Sequence, residues 1–260
     1  MITLTSNQLA LWLAQLFWPF VRIGACLMVA PAFATQSVPP QIRIVLAGAI
    51  ALLVAPLAPA PAQVTPFSFA GAMITLQQLV IGAALGFALQ LIFDAVTMGG
   101  QLLANSMGLS FAFNIDPEHG AQTPALGQLY MVLVTLTFLA LDGHLRVLEV
   151  LVQGFRTLPV GDSGLSPQGL WQLIGWGSEI FRGALAIALP GVTALLIVNL
   201  AFGMVSRAAP ALNLFAVGFP VSLVCGLLFV LAGLPLLQSS FVRLLEEGFS
   251  LIGRMLGTQG

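Results

Sequence analysis

The run from Ala70 to Val96, AGAMITLQQLVIGAALGFALQLIFDAV, holds one charged residue, Asp94, near its end. About 20 apolar residues carry a helix across a bilayer, so this run is long enough to cross one. Its apolar residues are continuous and lack the strict alternation of a membrane barrel strand. It reads as a membrane helix. Gly82 and Gly86 stand four residues apart in it, a spacing that lets two membrane helices approach closely. Asp94 reads as a capped or interfacial structural acid, since no partner for a proton relay lies near it in sequence.

The rest of the chain extends that reading. No charge occurs between Arg43 and Asp94, Arg182 and Arg207, or Arg207 and Arg243. The 260 residues are 58% hydrophobic and 7% charged, with a mean hydropathy of +1.02. Soluble domains carry about one-quarter charged residues. The expected fold is therefore all-α: one polytopic membrane-protein domain over residues 1–260, with about six long apolar helices plus shorter broken or amphipathic ones. The N-terminus has no basic residue, so the first apolar segment is expected to stay in the mature protein. In a six-span arrangement most arginines fall on the side of both termini, which leans that side towards the cytoplasm.

The segments have readable ends. The first runs from about Gln8 to Ala30 and contains Pro19, which should kink it, and Arg22. Arg22 either faces a partner helix or cavity, or snorkels to the interface. A second segment covers Ile42 to about Leu57, and a proline-rich linker follows it. A fourth runs from Pro124 to Leu141 and breaks at Asp142-Gly-His144. Ser166-Pro167 starts a helix reaching about Gly203, which Pro190 is expected to bend or divide. Phe215–Leu236 is the last strongly apolar segment, with Pro220 and Pro235 marking its ends. An amphipathic helix from Phe241 to Leu256 closes the chain.

Catalytic patterns are sparse. His119 and His144 lie 25 residues apart with no second ligand pattern, and the eight basic residues are all arginine. A zinc peptidase needs two histidines one helical turn apart, and a phosphate loop needs lysine. Gly161-Asp-Ser-Gly164 partly matches a serine-nucleophile string, but its composition is ordinary turn chemistry. Cys26 and Cys225 lie in separate apolar segments and read as small buried hydrophobes. No enzyme, cofactor or metal site is expected.

The stretch that stands apart runs from Gly99 to Pro117, GGQLLANSMGLSFAFNIDP. Gly100, Ala104 and Gly108 recur every fourth residue and would share one helix face. Asp116-Pro117 stops any helix. A close-packing helix is expected to lead into a loop tipped by Phe111 and Phe113.

The landmarks Pro31-Ala-Phe33, Val38-Pro39, Ile42-Arg43, Gly99-Gly-Gln101, Gly108, Asp116-Pro117, Leu139-Ala-Leu-Asp-Gly-His144, Arg207-Ala-Ala-Pro210, Asn213-Leu-Phe215 and Gly218-Phe-Pro220 follow in order. With them the chain resembles the FliR family of flagellar export-gate subunits and their SctT relatives in virulence type III secretion. It departs at Ala211, where relatives tend to carry glutamine, and at Asn114-Ile115. The resemblance implies a non-catalytic structural and gating subunit in the bacterial inner membrane, at the flagellar basal body. Its implied partners are FliP-like and FliQ-like subunits, FlhB-like and FlhA-like export proteins, rod proteins and unfolded export substrates. It also implies a plug over residues 106–117, with Ser106, Met107, Gly108, Phe111, Phe113, Asp116 and Pro117 as its candidates. Arg43, Gln101, His144, Arg207, Asn213, Phe215 and Pro220 are candidates for subunit contact. The alternatives are a virulence secretion subunit and a small-solute transporter with helices broken at Pro19 and Pro190; no internal repeat supports the transporter.

Overall fold

A computed structural model describes residues 6–31, 33, 38–59, 64–66, 68–109, 125–161, 164–208 and 214–257. Among them all regular structure is helical. Eight helices follow in order: α1 Ser6–Val29, α2 Pro40–Val54, α3 Phe69–Ser106, α4 Ala125–Ala140, α5 Gly143–Thr157, α6 Pro167–Trp176, α7 Ser178–Ala208 and α8 Leu214–Met255. The chain is an all-α polytopic membrane protein. Among the described residues four stretches are long and apolar enough to cross a bilayer: Trp12–Val29, Phe69–Ser106, Pro167–Arg207 and Gly218–Met255. Taking α4 and α5 together as one broken span makes five, one fewer than the six expected. The 15-residue α2 accounts for part of the difference, because at 1.5 Å per residue it is about 22 Å long against a core of about 30 Å.

Three boundaries differ from those expected. α3 continues past Val96 to Ser106, so Asp94 lies inside a 38-residue helix and not at a helix end. Pro220 and Pro235 do not end a segment, because both lie inside the 42-residue α8. Pro190 lies inside α7, and the division falls at Gly177. A proline removes one backbone bond, which long apolar helices tolerate where neighbouring groups re-satisfy the freed carbonyl. At Gly177 the backbone N–H bonds the Ile174 carbonyl at 3.1 Å, a tightened turn that closes α6. The expected start of α6 is present: Ser166 Oγ accepts from the Gly169 N–H at 3.0 Å, with Pro167 in the first turn.

Two compact units share these helices. One comprises Met1–Gln90, Leu139–Gly177 and Glu247–Gly260; the other comprises Leu91–Phe138 and Ser178–Glu246. α3, α8 and, through its last two residues, α4 contribute to both.

In the first unit, α3 lies against α1 through glycine. A methyl on Gly82 would overlap the Arg22 carbonyl oxygen, and one on Gly86 would stand 2.6 Å from the Cys26 carbonyl. Trp18 Nε1 donates to Thr75 Oγ1 at 3.2 Å, and Trp176 Nε1 donates to the Ala88 carbonyl at 3.3 Å. Both indoles thus tie a helix to α3. The second unit is built on aromatic edges. Phe93 meets Phe138 at 5.6 Å and Phe241 at 5.4 Å between ring centroids, both edge-to-face. Such pairs contribute about 0.5–1.5 kcal/mol beyond their burial.

Candidate functional site

The end of α3 is where the Gly99–Pro117 stretch becomes structure. Gly99 packs on α7: a methyl there would lie 3.2 Å from the Ala184 carbonyl and 3.3 Å from the Ile187 side chain. Gly100 packs on α4, with Gly127 Cα 2.9 Å from the same imagined methyl. Ala104 is fully buried. Gly108, however, does not continue that face. The helix ends at Ser106, and Gly108 takes φ 79°, a left-handed conformation that glycine reaches without the penalty a side chain brings. Its N–H bonds the Asn105 carbonyl at 3.1 Å, while the Met107 N–H bonds Leu103 at 3.0 Å. Gly108 closes the helix in the manner of a C-terminal cap.

Two side chains at the C-terminal end of α3, Leu103 in its last turn and Met107 just beyond it, enter notches on the neighbouring helices. Leu103 sits where a Gly191 side chain would be: its Cδ1 is 2.7 Å from the imagined methyl. Met107 does the same at Gly226 of α8, with Sδ 2.7 Å and Cε 2.6 Å away. Met107 is only 1% exposed. Ser106 Oγ donates to the Leu102 carbonyl at 3.0 Å, an ordinary backbone return within the helix. Phe111, Phe113, Asp116 and Pro117 lie outside the described residues, as do Asp162 and Ser163 of the Gly161–Gly164 string.

The first unit holds a second polar feature. Arg22 is fully buried in α1 and donates through Nε to Gln78 Oε1 at 2.7 Å. Its Nη1 and Nη2 donate to the carbonyls of Gly154 and Leu158 at 2.9 and 2.8 Å. The guanidinium lies 4.2 Å from the Phe155 ring centroid, a geometry that stabilises a cation by about 2 kcal/mol when desolvated. Of the two possibilities for Arg22, the structure has the partner-helix one. The guanidinium caps the last turn of α5, where the exposed carbonyls carry partial negative charge.

The candidates for subunit contact are spread over several helices. Arg43 on α2 donates to the Val38 carbonyl at 2.9 Å. Gln101 packs its Cγ beside Gly127. His144 is half-buried in the first turn of α5, behind Asp142, whose φ of 54° breaks the chain between α4 and α5. Arg207 is exposed in the last turn of α7, and Pro220 is exposed on α8. Phe215 lies in the first turn of α8, and Asn213 lies outside the described residues. Sequence reasoning missed Gly127, Gly191 and Gly226. With 27 glycines in the chain, nothing local distinguishes a glycine that receives a side chain.

Comparison with known proteins identifies the family. The sequence model of the family described as "Bacterial export proteins, family 1" matches residues 13–248. The flagellar biosynthetic protein FliR of Escherichia coli K12 is 38% identical over 256 residues, covering 98% of each chain. The chain belongs to the FliR family of bacterial export proteins. FliR of Pectobacterium carotovorum is also 38% identical, over 257 residues and 98% of each chain. FliR of Bacillus subtilis is 28% identical over 208 residues, 78% of this chain and 80% of its own. The range matched by the family model spans Arg22, the whole of α3 and Gly226.

Proposed function

We propose that the chain is a non-catalytic structural and gating subunit of the flagellar protein export channel. It works in the bacterial inner membrane at the basal body, beside FliP-like and FliQ-like subunits. FlhB-like and FlhA-like proteins, rod proteins and unfolded export substrates complete its partners. The observation that carries this reading is end-to-end similarity to proteins named for flagellar biosynthesis, at 38% identity. In this reading residues 106–117 plug the closed passage with Phe111 and Phe113, while Met107 of the same segment is seated at Gly226. Bulky apolar side chains suit such a seal, since apolar constrictions exclude ions by dewetting.

The test is removal of the gene from a motile host, followed by assay of flagellar protein in the medium and of complexes carrying the tagged chain. Loss of secretion, restored by the intact gene, with co-purification of FliP-like and FliQ-like subunits, is the expected result. A chain that purifies alone and carries a small solute into liposomes overturns it. For the plug, deleting residues 110–115 should leave assembly intact and make the membrane leaky to small ions. Unchanged conductance in an assembled deletion mutant rejects the plug.

A further inference from the structure

Met107 occupies an unusual place. Its N–H makes the last α-type bond of α3, and the next residue, Gly108, turns the chain out of the helix. Its thioether fills space that any side chain at position 226 would claim, since Sδ, Cε and Cγ all lie inside contact distance of an added methyl. Leu103, one helical turn earlier, makes the matching insertion at Gly191 of α7. Residues four apart lie one above the other on a helix, so the C-terminal end of α3 rests on α7 and α8 through two side chains set in glycine notches.

The two insertions differ in stiffness. Leucine fills its notch with a compact branched end. Methionine has three rotatable side-chain bonds and a polarizable sulfur, so it can leave and refill a notch without a change in its own backbone. We propose that Met107 and Gly226 form a releasable, size-matched joint that sets the position of the α3 terminus and so holds the passage closed. This rests on the gating role proposed above. Gly226 is thus a positioning residue: it acts only through the space it leaves for Met107. A side chain at 226 evicts the thioether and frees the end of α3, whereas shortening residue 107 in the same chain removes the conflict.

The experiment is a size-swap series in the full-length chain within the assembled export complex. Gly226→Ala and Gly226→Val are each made alone and together with Met107→Ala. Ion leak and secreted flagellar protein are both normalised to the amount of co-purified complex. We expect Gly226→Val to raise leak at least fivefold, Gly226→Ala to raise it less, and Met107→Ala to bring the Val variant back to within twofold of wild type. If Gly226→Val prevents assembly, restoration of assembly by Met107→Ala supports the joint, and continued failure overturns it. A Gly226→Val complex that assembles without extra leak, or whose leak Met107→Ala leaves unchanged, also overturns it. Deletion of residues 110–115, run in parallel, separates the two ideas. Leak from the deletion without leak from Gly226→Val rejects the joint alone, and a tight deletion mutant rejects the gating role beneath it.

Discussion

Gly82 and Gly226 both stand where two helices come close, but different things fill the space beside them. At Gly82 the neighbour is the Arg22 carbonyl oxygen, part of the α1 backbone. At Gly226 it is the free end of the Met107 side chain. Backbone inside a helix cannot give way without breaking hydrogen bonds, whereas a thioether can rotate. The Gly82 contact is therefore a rigid seam and the Gly226 contact an adjustable insertion, and the second unit holds both kinds, since Gly100 there meets the α4 backbone at Gly127. Glycine alone does not say how tightly a membrane interface is held; the identity of the opposing atoms does.

The sharpest way to break this comparison is Gly82→Ala. The added methyl meets backbone, so we expect a loss of about 3 kcal/mol or more, at the upper end of overpacking costs. Thermal unfolding of the detergent-solubilised protein measures it, and a change under about 1 kcal/mol would make the seam as compliant as the notches. Arg22→Leu comes next, at about 2–3 kcal/mol, because it leaves buried Gln78 Oε1 and the half-buried Leu158 carbonyl without their donor, while the Gly154 carbonyl keeps its bond from the Leu158 N–H. Arg22→Lys should recover only part of this, since an ammonium lacks the planar fork that reaches three acceptors. Gly191→Ala should cost about 1 kcal/mol, because Leu103 Cδ1 is a movable end. Smallest is Ser222→Ala, which removes the 2.8 Å bond that Ser222 Oγ donates to Asn199 Oδ1 between α8 and α7. Interhelical bonds of this kind average about 0.6 kcal/mol, within reach of a double-mutant cycle with Asn199→Ala.

Much of the architecture is legible in the sequence. Long uncharged runs announced the membrane helices, Ser166-Pro167 announced the start of α6, and the cost of a charge in an apolar segment marked Arg22 as a residue needing partners. Proline is the less reliable punctuation: Pro220 and Pro235, expected to mark segment ends, sit inside α8, and Pro190, expected to bend or divide its helix, lies inside an undivided α7, while the division between α6 and α7 falls at a glycine. Proline penalties measured in isolated helices weigh less in a long apolar helix, whose backbone has nowhere to go without leaving a polar group unbonded. The Gly100, Ala104, Gly108 spacing was half right for the same reason that periodicity always has an end. A glycine at the right interval either continues a face or stops the helix, and only the backbone angle tells which. The partners of the glycines were not legible at all, because each notch is defined by a residue far away in sequence. Arg22 needed partners, but which carbonyls it would find depended on how α5 ended.

That last detail bears on how such a chain withstands change over generations. Two of the three hydrogen bonds made by Arg22 go to main-chain oxygens, which every residue type possesses. Mutations at 154 or 158 can alter bulk, but they cannot delete the acceptors. The two main-chain bonds are lost through position 22, whereas the third also depends on the side chain at 78. Sequence drift can therefore rewrite the side chains at 154 and 158 while these two fastenings persist.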